Sequence, residues 1–202
     1  MMKKNIKIKI NDKLVTCKDD ETIMQVALRA GVMIPGLCGH GDFPAKANCR
    51  VCVVEVKGSS KLLTSCSTKV KSGMEIRTDS ERVRQARDMN LELIFAEHIE
   101  KCADCIWRFE CKLLLFAEKY KILISTFNDR KRNRITHKFS NAVEIDGTQC
   151  IDCRNCLDAC TTLMEIDYLK LKGKGASQGS GAKKRQESSL HPLWPMCLAL
   201  PG

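Results

Sequence analysis

Isoleucine alternates with polar residues from Asn5 to Ile10, the period-2 pattern of a strand with one buried face. Asn11-Asp12-Lys13 reads as a turn, and Leu14 to Cys17 as the return strand. The pattern then changes period. Ile23, Val26, Ala27 and Ala30 fall on one face of a helix. Thr22 and Gln25 are spaced to form a capping box at its start, and Gly31 is placed to end it. Further strands are expected over Val51 to Val56, Lys61 to Thr64 and Met74 to Arg77.

A second helix is expected from about residue 79. Thr78 and Glu81 have capping-box spacing, and Val83, Ala86, Met89, Leu93 and Ala96 mark an apolar stripe. Cys111 to Tyr120 reads as a third helix, strongly apolar from Leu113 to Ala117. Residues 121–149 then form a connector with the basic run Arg130-Lys131-Arg132-Asn133-Arg134. From about Lys170 the composition shifts to Gly, Ser, Lys and Gln, which is typical of a flexible tail. The expected fold class is therefore α+β. A β-grasp domain (1–78) precedes a small helical unit (79–120), the connector, a compact cysteine-rich unit (150–166) and a tail (167–202) that is flexible or frame-shifted.

Composition narrows the chemistry. The chain has 202 residues, too few for a large catalytic barrel, and only 5% are aromatic. Small units with thin cores usually need a covalent or metal staple, and the 13 cysteines are the candidates. The start, Met1 to Ile10, is charged and lacks the apolar core of a secretory signal. No apolar run approaches the roughly 18–20 residues of a membrane span. The expected location is cytoplasmic, with any membrane association through a partner complex. Thiols there stay reduced, so clustered cysteines read as metal ligands. The net charge is +10, and Lys170 to Gly202 holds six Lys or Arg against one Glu. We read the excess as solvated surface plus a basic tail, and no nucleic-acid partner is expected.

Three ligand sets stand out. Cys38, Cys49, Cys52 and Cys66 are spaced C-x10-C-x2-C-x13-C. The order matches plant-type [2Fe–2S] ferredoxins with a longer first gap, and Gly36, Gly39 and Gly41 allow close backbone approach. Four thiolates also suit zinc. His98, Cys102, Cys105 and Cys111 are spaced H-x3-C-x2-C-x5-C. The step from His98 to Cys102 puts both on one side of a continuing helical turn, and Cys3His is again also a zinc pattern. Cys150, Cys153, Cys156 and Cys160 form C-x2-C-x2-C-x3-C, the bacterial [4Fe–4S] run. Proline normally follows its fourth cysteine, which serves a second cluster. Here Thr161 follows and no second run appears, so this set lacks a clear fourth ligand and can be incomplete; Cys160 bending back and distant Cys197 are the candidates. Cys17 reads as a buried thiol, His40 as a hydrogen-bonding neighbour of the first loop, and His137 and His191 as exposed.

Taken together and in order, these residues resemble the N-terminal iron–sulfur module of several redox complexes. They are the large iron–sulfur subunit of complex I (the respiratory NADH dehydrogenase), [FeFe]-hydrogenases, NAD-linked formate dehydrogenases and the small diaphorase subunit of NAD-linked hydrogenases. The resemblance runs from about residue 5 to 165. It is carried by Ile34 to Cys38, Cys49 to Val56, Thr64 to Cys66, the His98 set and the Cys150 run. It implies one [2Fe–2S] cluster, a His/Cys3-ligated [4Fe–4S] cluster, and a ferredoxin-like unit that usually holds two more [4Fe–4S] clusters. It also implies electron flow between a flavin/NAD(H)-binding subunit and a hydrogenase, formate dehydrogenase or quinone-linked acceptor. The sequence departs from the family after Cys160, where a truncated gene or a shifted reading frame is the expectation. No G-x-G-x-x-G follows a strand and no hydrolase triad pattern is present. The chain is thus expected to be an electron-transfer component without a complete active site. The rival reading from another class is a zinc-stapled nucleic-acid-binding protein.

Overall fold

A computed structural model describes residues 4–138, 144–172 and 179–182. The alternating isoleucines form β1 (Asn5–Ile10), which buries Ile6, Ile8 and Ile10 and exposes the residues between. β2 (Lys13–Lys18) returns antiparallel to it. The turn residues Asn11 and Asp12 have φ of +46° and +69°. Positive φ at both central positions is the two-residue turn whose twist matches a hairpin. Asn11 Nδ2 donates to Thr78 Oγ1 at 2.7 Å, and the Thr78 amide donates to Asn11 Oδ1 at 2.9 Å. We expect Asn11→Ala to cost about 1–2 kcal/mol in urea unfolding, from lost hydrogen bonds and backbone strain together.

α1 (Ile23–Arg29) carries the expected capping box: Thr22 accepts from the Gln25 amide, and the Gln25 side chain caps the Thr22 amide. Gly31 follows at φ +78°. β3 (Val53–Val56), β4 (Leu63–Thr64) and β5 (Glu75–Arg77) complete a sheet of order β2-β1-β5-β3-β4. β1 and β5 are parallel at its centre, and the remaining pairs are antiparallel. α1 lies on this sheet, and Ile8, Ile10, Ile23, Val26, Val54 and Ile76 form the core between them. This is the grasp arrangement the strand order implied. Cys17 is buried as expected, with its thiol near the Ile6 carbonyl.

α2 (Glu81–Ala96) departs from expectation in two ways. Its cap is Ser80, which accepts from the Val83 amide, because Thr78 is engaged by Asn11. Its buried face is also rotated. Val83 and Ala96 are buried as expected, but the face between them runs through Arg87, Leu91, Ile94 and Phe95, and Met89 is 60% exposed. A charged residue occupies the core phase: Arg87 donates to the Thr78 carbonyl at 2.9 Å and lies over the Tyr120 ring. An apolar-stripe search skips an arginine, and so shifted the phase.

α3 (Lys112–Lys119) packs on α2, burying Leu113 and Ala117. The connector contains a hairpin of β6 (Thr136–Lys138) and β7 (Glu144–Asp146). His137, expected exposed, is half-buried in β6 opposite Ile145. After a 3-10 turn (Gly147–Gln149) come the short α4 (Asn155–Asp158) and a π-helical turn (Ala159–Leu163). β8 (Leu169–Lys172) then pairs with β9 (Gly179–Ala182), within the stretch read from sequence as a tail. Cys197 and His191 lie outside the described residues. Among the described residues no helix is long and apolar enough to cross a membrane.

Candidate functional site

The first set lies on the long loop between α1 and β3, with Cys66 just after β4. It resolves into two thiol pairs. The Cys38 and Cys49 side chains act directly on each other's thiols, and Cys52 Sγ lies 3.3 Å from Cys66 Sγ. Cys49 is held well below the usual thiol range by Cys38, aided by backbone amides of Val51, Leu37 and Cys38, while Cys38 is pushed up. Cys52 is likewise lowered to about 7 by its partner Cys66, which is raised. Arg50, between Cys49 and Cys52, has φ +55°, a turn that aims successive amides at a sulfur. Two thiol pairs, with Cys38, Cys49 and Cys52 buried and Cys66 partly so, suit two adjacent irons with two thiolates each. His40 sits beside this loop, accepting from the Asp42 amide at 3.3 Å and stacked on Phe43.

The second set closes around a cavity at the end of α2. His98, Cys102, Cys105 and Cys111 all line it, with Phe95, Leu113 and Leu114 as apolar wall. Cys111 sits at the N-terminus of α3. His98 Nε2 is fully enclosed and, among the described residues, has no hydrogen-bond partner. An enclosed nitrogen without a partner is costly unless something coordinates it. Burial, with the nearby Lys131 and Lys101 ammoniums, pushes the imidazole down to about 4, so it is neutral and keeps a lone pair able to coordinate a metal.

The third set is less symmetric. Cys156 acts electrostatically on both Cys150 and Cys153, so the three thiols lie near one another. Burial raises the Cys150 thiol to about 11. The Asp152 amide donates to Cys150 Sγ at 3.3 Å. Asp152 and Arg154 both have positive φ, at +56° and +66°. Gly147 positions the approach to Cys150: a Cβ there would meet the Ile135 carbonyl at 2.7 Å, so no other residue fits. Cys160 is fully buried, and its sulfur accepts from the Tyr168 and Leu169 amides at 3.1 and 3.3 Å.

The three sets adjoin. Leu37, Cys38, Cys49 and Val51 share one apolar cluster with Leu91, Ile94, Phe95, Leu113 and Ala117, against which Cys102, Cys111 and Cys153 also pack. Asn48 donates to the Asp152 and Cys153 carbonyls at 3.3 Å each, and Lys46 pairs with Asp158. Among the described residues no three His, Cys, Asp or Glu side chains converge on a single-ion site.

Sequence reading missed one feature of the site. Lys131, counted as part of a solvated basic run, is only 4% exposed and bridges Glu97 and Asp152. Arg130 pairs with Glu97, and Arg134 with Asp152. The signal was present: Glu97 precedes His98, and Asp152 lies between two cysteines.

Residues 3–81 match the family described as a 2Fe-2S iron-sulfur cluster binding domain. That stretch is similar to 2Fe-2S cluster binding domains. The NADP-reducing hydrogenase subunit HndD of Solidesulfovibrio fructosivorans is 33% identical over 174 residues, covering 83% of this chain and 30% of that protein. The mitochondrial 78 kDa subunit of the NADH-ubiquinone oxidoreductase of Candida albicans is 30% identical over 154 residues, covering 75% of this chain and 21% of that protein. The chain therefore spans less than a third of the length of these curated relatives. Among solved structures, a chain of an NAD+-reducing [NiFe]-hydrogenase in the H2-reduced state superposes with a TM-score of 0.79 at 26% identity. That match covers 88% of this chain and 74% of the hydrogenase chain. The 2Fe-2S domain and the kinship with hydrogenase and NADH-dehydrogenase subunits agree with the resemblance read from the cysteine spacing.

Proposed function

We propose that this chain passes single electrons between a flavin/NAD(H)-binding partner and a hydrogenase, formate dehydrogenase or quinone-linked acceptor. In this reading Cys38, Cys49, Cys52 and Cys66 hold a [2Fe–2S] cluster, and His98, Cys102, Cys105 and Cys111 a [4Fe–4S] cluster. Cys150, Cys153 and Cys156, with Cys160, hold a second [4Fe–4S] cluster. The observation that carries the reading is the pairing of Cys38 with Cys49 and of Cys52 with Cys66 inside a 2Fe-2S domain. Clusters bound there supply one-electron sites whose potentials are set by ligand type, hydrogen bonding, charge and burial.

The protein residues do the rest. Amides around Cys49 stabilise thiolate charge, which favours retention of iron. His98 supplies a neutral ligand where a thiolate would add a negative charge. Phe95, Leu113 and Leu114 give that set an apolar wall. The shared apolar cluster fixes the distance between the first and second sets. The zinc and nucleic-acid alternative is not favoured: Arg130, Lys131 and Arg134 are bound to carboxylates rather than open to phosphates.

The test is anaerobic purification of the chain, with iron, zinc and acid-labile sulfide assays and EPR. The expected protein is brown and sulfide-containing, with a [2Fe–2S] and at least one [4Fe–4S] signal. Cys52→Ala is expected to remove the [2Fe–2S] signal and leave the His98-set signal. A colourless protein with stoichiometric zinc would overturn the proposal.

A further inference from the structure

We propose that Lys131 is a positioning residue that ties the second and third ligand sets together. Its buried positive charge makes both of their clusters easier to reduce. This rests on the cluster assignment above and adds to it a residue that ligates nothing. Lys131 Nζ lies 2.6 Å from Glu97 Oε2 and 3.0 Å from Asp152 Oδ2, and donates to the Cys150 carbonyl at 2.8 Å. Glu97, itself 2% exposed, immediately precedes His98. Asp152 lies between Cys150 and Cys153, and its amide reaches the Cys150 sulfur. One ammonium thus touches the first residue of the third set and the neighbour of the histidine in the second.

The surroundings set the sign of the charge. Arg130 donates to Glu97 Oε1 at 2.8 Å, and Arg134 to Asp152 Oδ1 at 2.8 Å. Lys101 bridges Asp129 to the Glu97 and Thr148 carbonyls. Among the described residues these cations alternate with the carboxylates of Glu97, Asp129 and Asp152, and Asp146 also lies within electrostatic reach of Lys101, so what Lys131 contributes is one fixed positive charge next to both sets. A clamp between loops does not require this, because apolar side chains of similar volume commonly hold a buried contact as well as ions do. What an ammonium adds is charge. Reduction gives a cluster one electron, with no bond made or broken, and a fixed positive charge nearby favours it. Inside a protein, at an effective dielectric near ~20, a unit charge acts over about 10 Å, whereas exposed charges are screened by salt.

Two substitutions separate charge from packing. Lys131→Met removes a positive charge, and Glu97→Gln removes a negative one with little change in shape. EPR-monitored redox titration of the full chain, purified without oxygen, is the measurement. Lys131→Met is expected to make the [4Fe–4S] centres at least tenfold harder to reduce, a fall of about 59 mV for a one-electron couple. Glu97→Gln is expected to shift them by a similar factor in the opposite direction. Lys131→Arg, which keeps the charge, is expected to stay near the parent potential, and the [2Fe–2S] potential is the internal control. Opposite shifts support the proposal. Unchanged potentials, or shifts of the same sign in both variants, overturn it. If Lys131→Met does not fold, Glu97→Gln against Lys131→Arg decides by the same criterion. A parent protein with no [4Fe–4S] signal instead overturns the cluster assignment itself.

Discussion

Replacing His98 with leucine is expected to abolish the second [4Fe–4S] signal in EPR, while His98→Cys retains it at a lower potential. The imidazole is neutral in the fold and its Nε2 is enclosed with no partner among the described residues, so it has a free lone pair and no competing role. Leucine fills the volume and offers no electron pair, leaving three thiols for a centre that needs four ligands. Cysteine restores a ligand but adds one negative charge to the cluster. In Rieske centres, imidazole in place of thiolate raises the potential, so the reverse exchange of histidine for cysteine lowers it. A retained [4Fe–4S] signal in the leucine variant would remove His98 from the ligand set.

The same residue gives the apoprotein a pH dependence of definite sign. Its folded pKa is depressed to about 4 from the ordinary 6.5. Between those values the unfolded chain binds a proton that the folded chain does not. Stability therefore rises with pH across that window and is lost on acidification from about 6.5 toward 4. Urea unfolding of metal-free protein should show this slope, and His98→Leu should flatten it.

Much of this was legible in the sequence, for reasons that particular residues make clear. β1 alternates strictly, and Thr22 and Gln25 satisfy each other's orphan amides, so both elements follow from local chemistry. Cysteine spacing alone proposed the three sets, because iron–sulfur clusters take thiolates in recurring orders that show in the sequence. The failures share a different cause. Arg87 and Lys131 are long charged side chains in core positions, made tolerable by partners remote in sequence: the Thr78 carbonyl and Tyr120 ring for one, Glu97 and Asp152 for the other. Hydrophobic patterning scores such residues as surface. The Ser80 cap was missed for the same reason, because Thr78 was already bound to a turn 67 positions earlier. Likewise, the adjacency of the first set to the third depends on Lys46 and Asn48 reaching the 152–158 stretch, a tertiary contact no local pattern encodes.

Leu91→Ala should destabilise the chain by about 3–4 kcal/mol and do so in both the first and second units. Leu91 is fully buried in α2, within the apolar cluster that holds Leu37, Cys49 and Val51 of the first cysteine loop on one side and Leu113 and Ala117 of α3 on the other. Truncating a buried leucine costs the transfer of the lost atoms plus the cavity left behind, about 2.7–5 kcal/mol across a well-studied series. Little here can collapse into the gap, because Cys38 and Cys49 are held by amides and by each other. Urea unfolding followed by far-ultraviolet circular dichroism and by visible cluster absorbance is the measurement. One earlier transition seen equally by both probes is expected, with the [2Fe–2S] and His98-set EPR signals lost together on warming. Ile8 lies in the separate sheet core, so Ile8→Ala provides the contrast. If Leu91→Ala left the first set's signal at parental stability, the apolar cluster would not couple the two sets. The fixed spacing proposed between their redox centres would then need another origin.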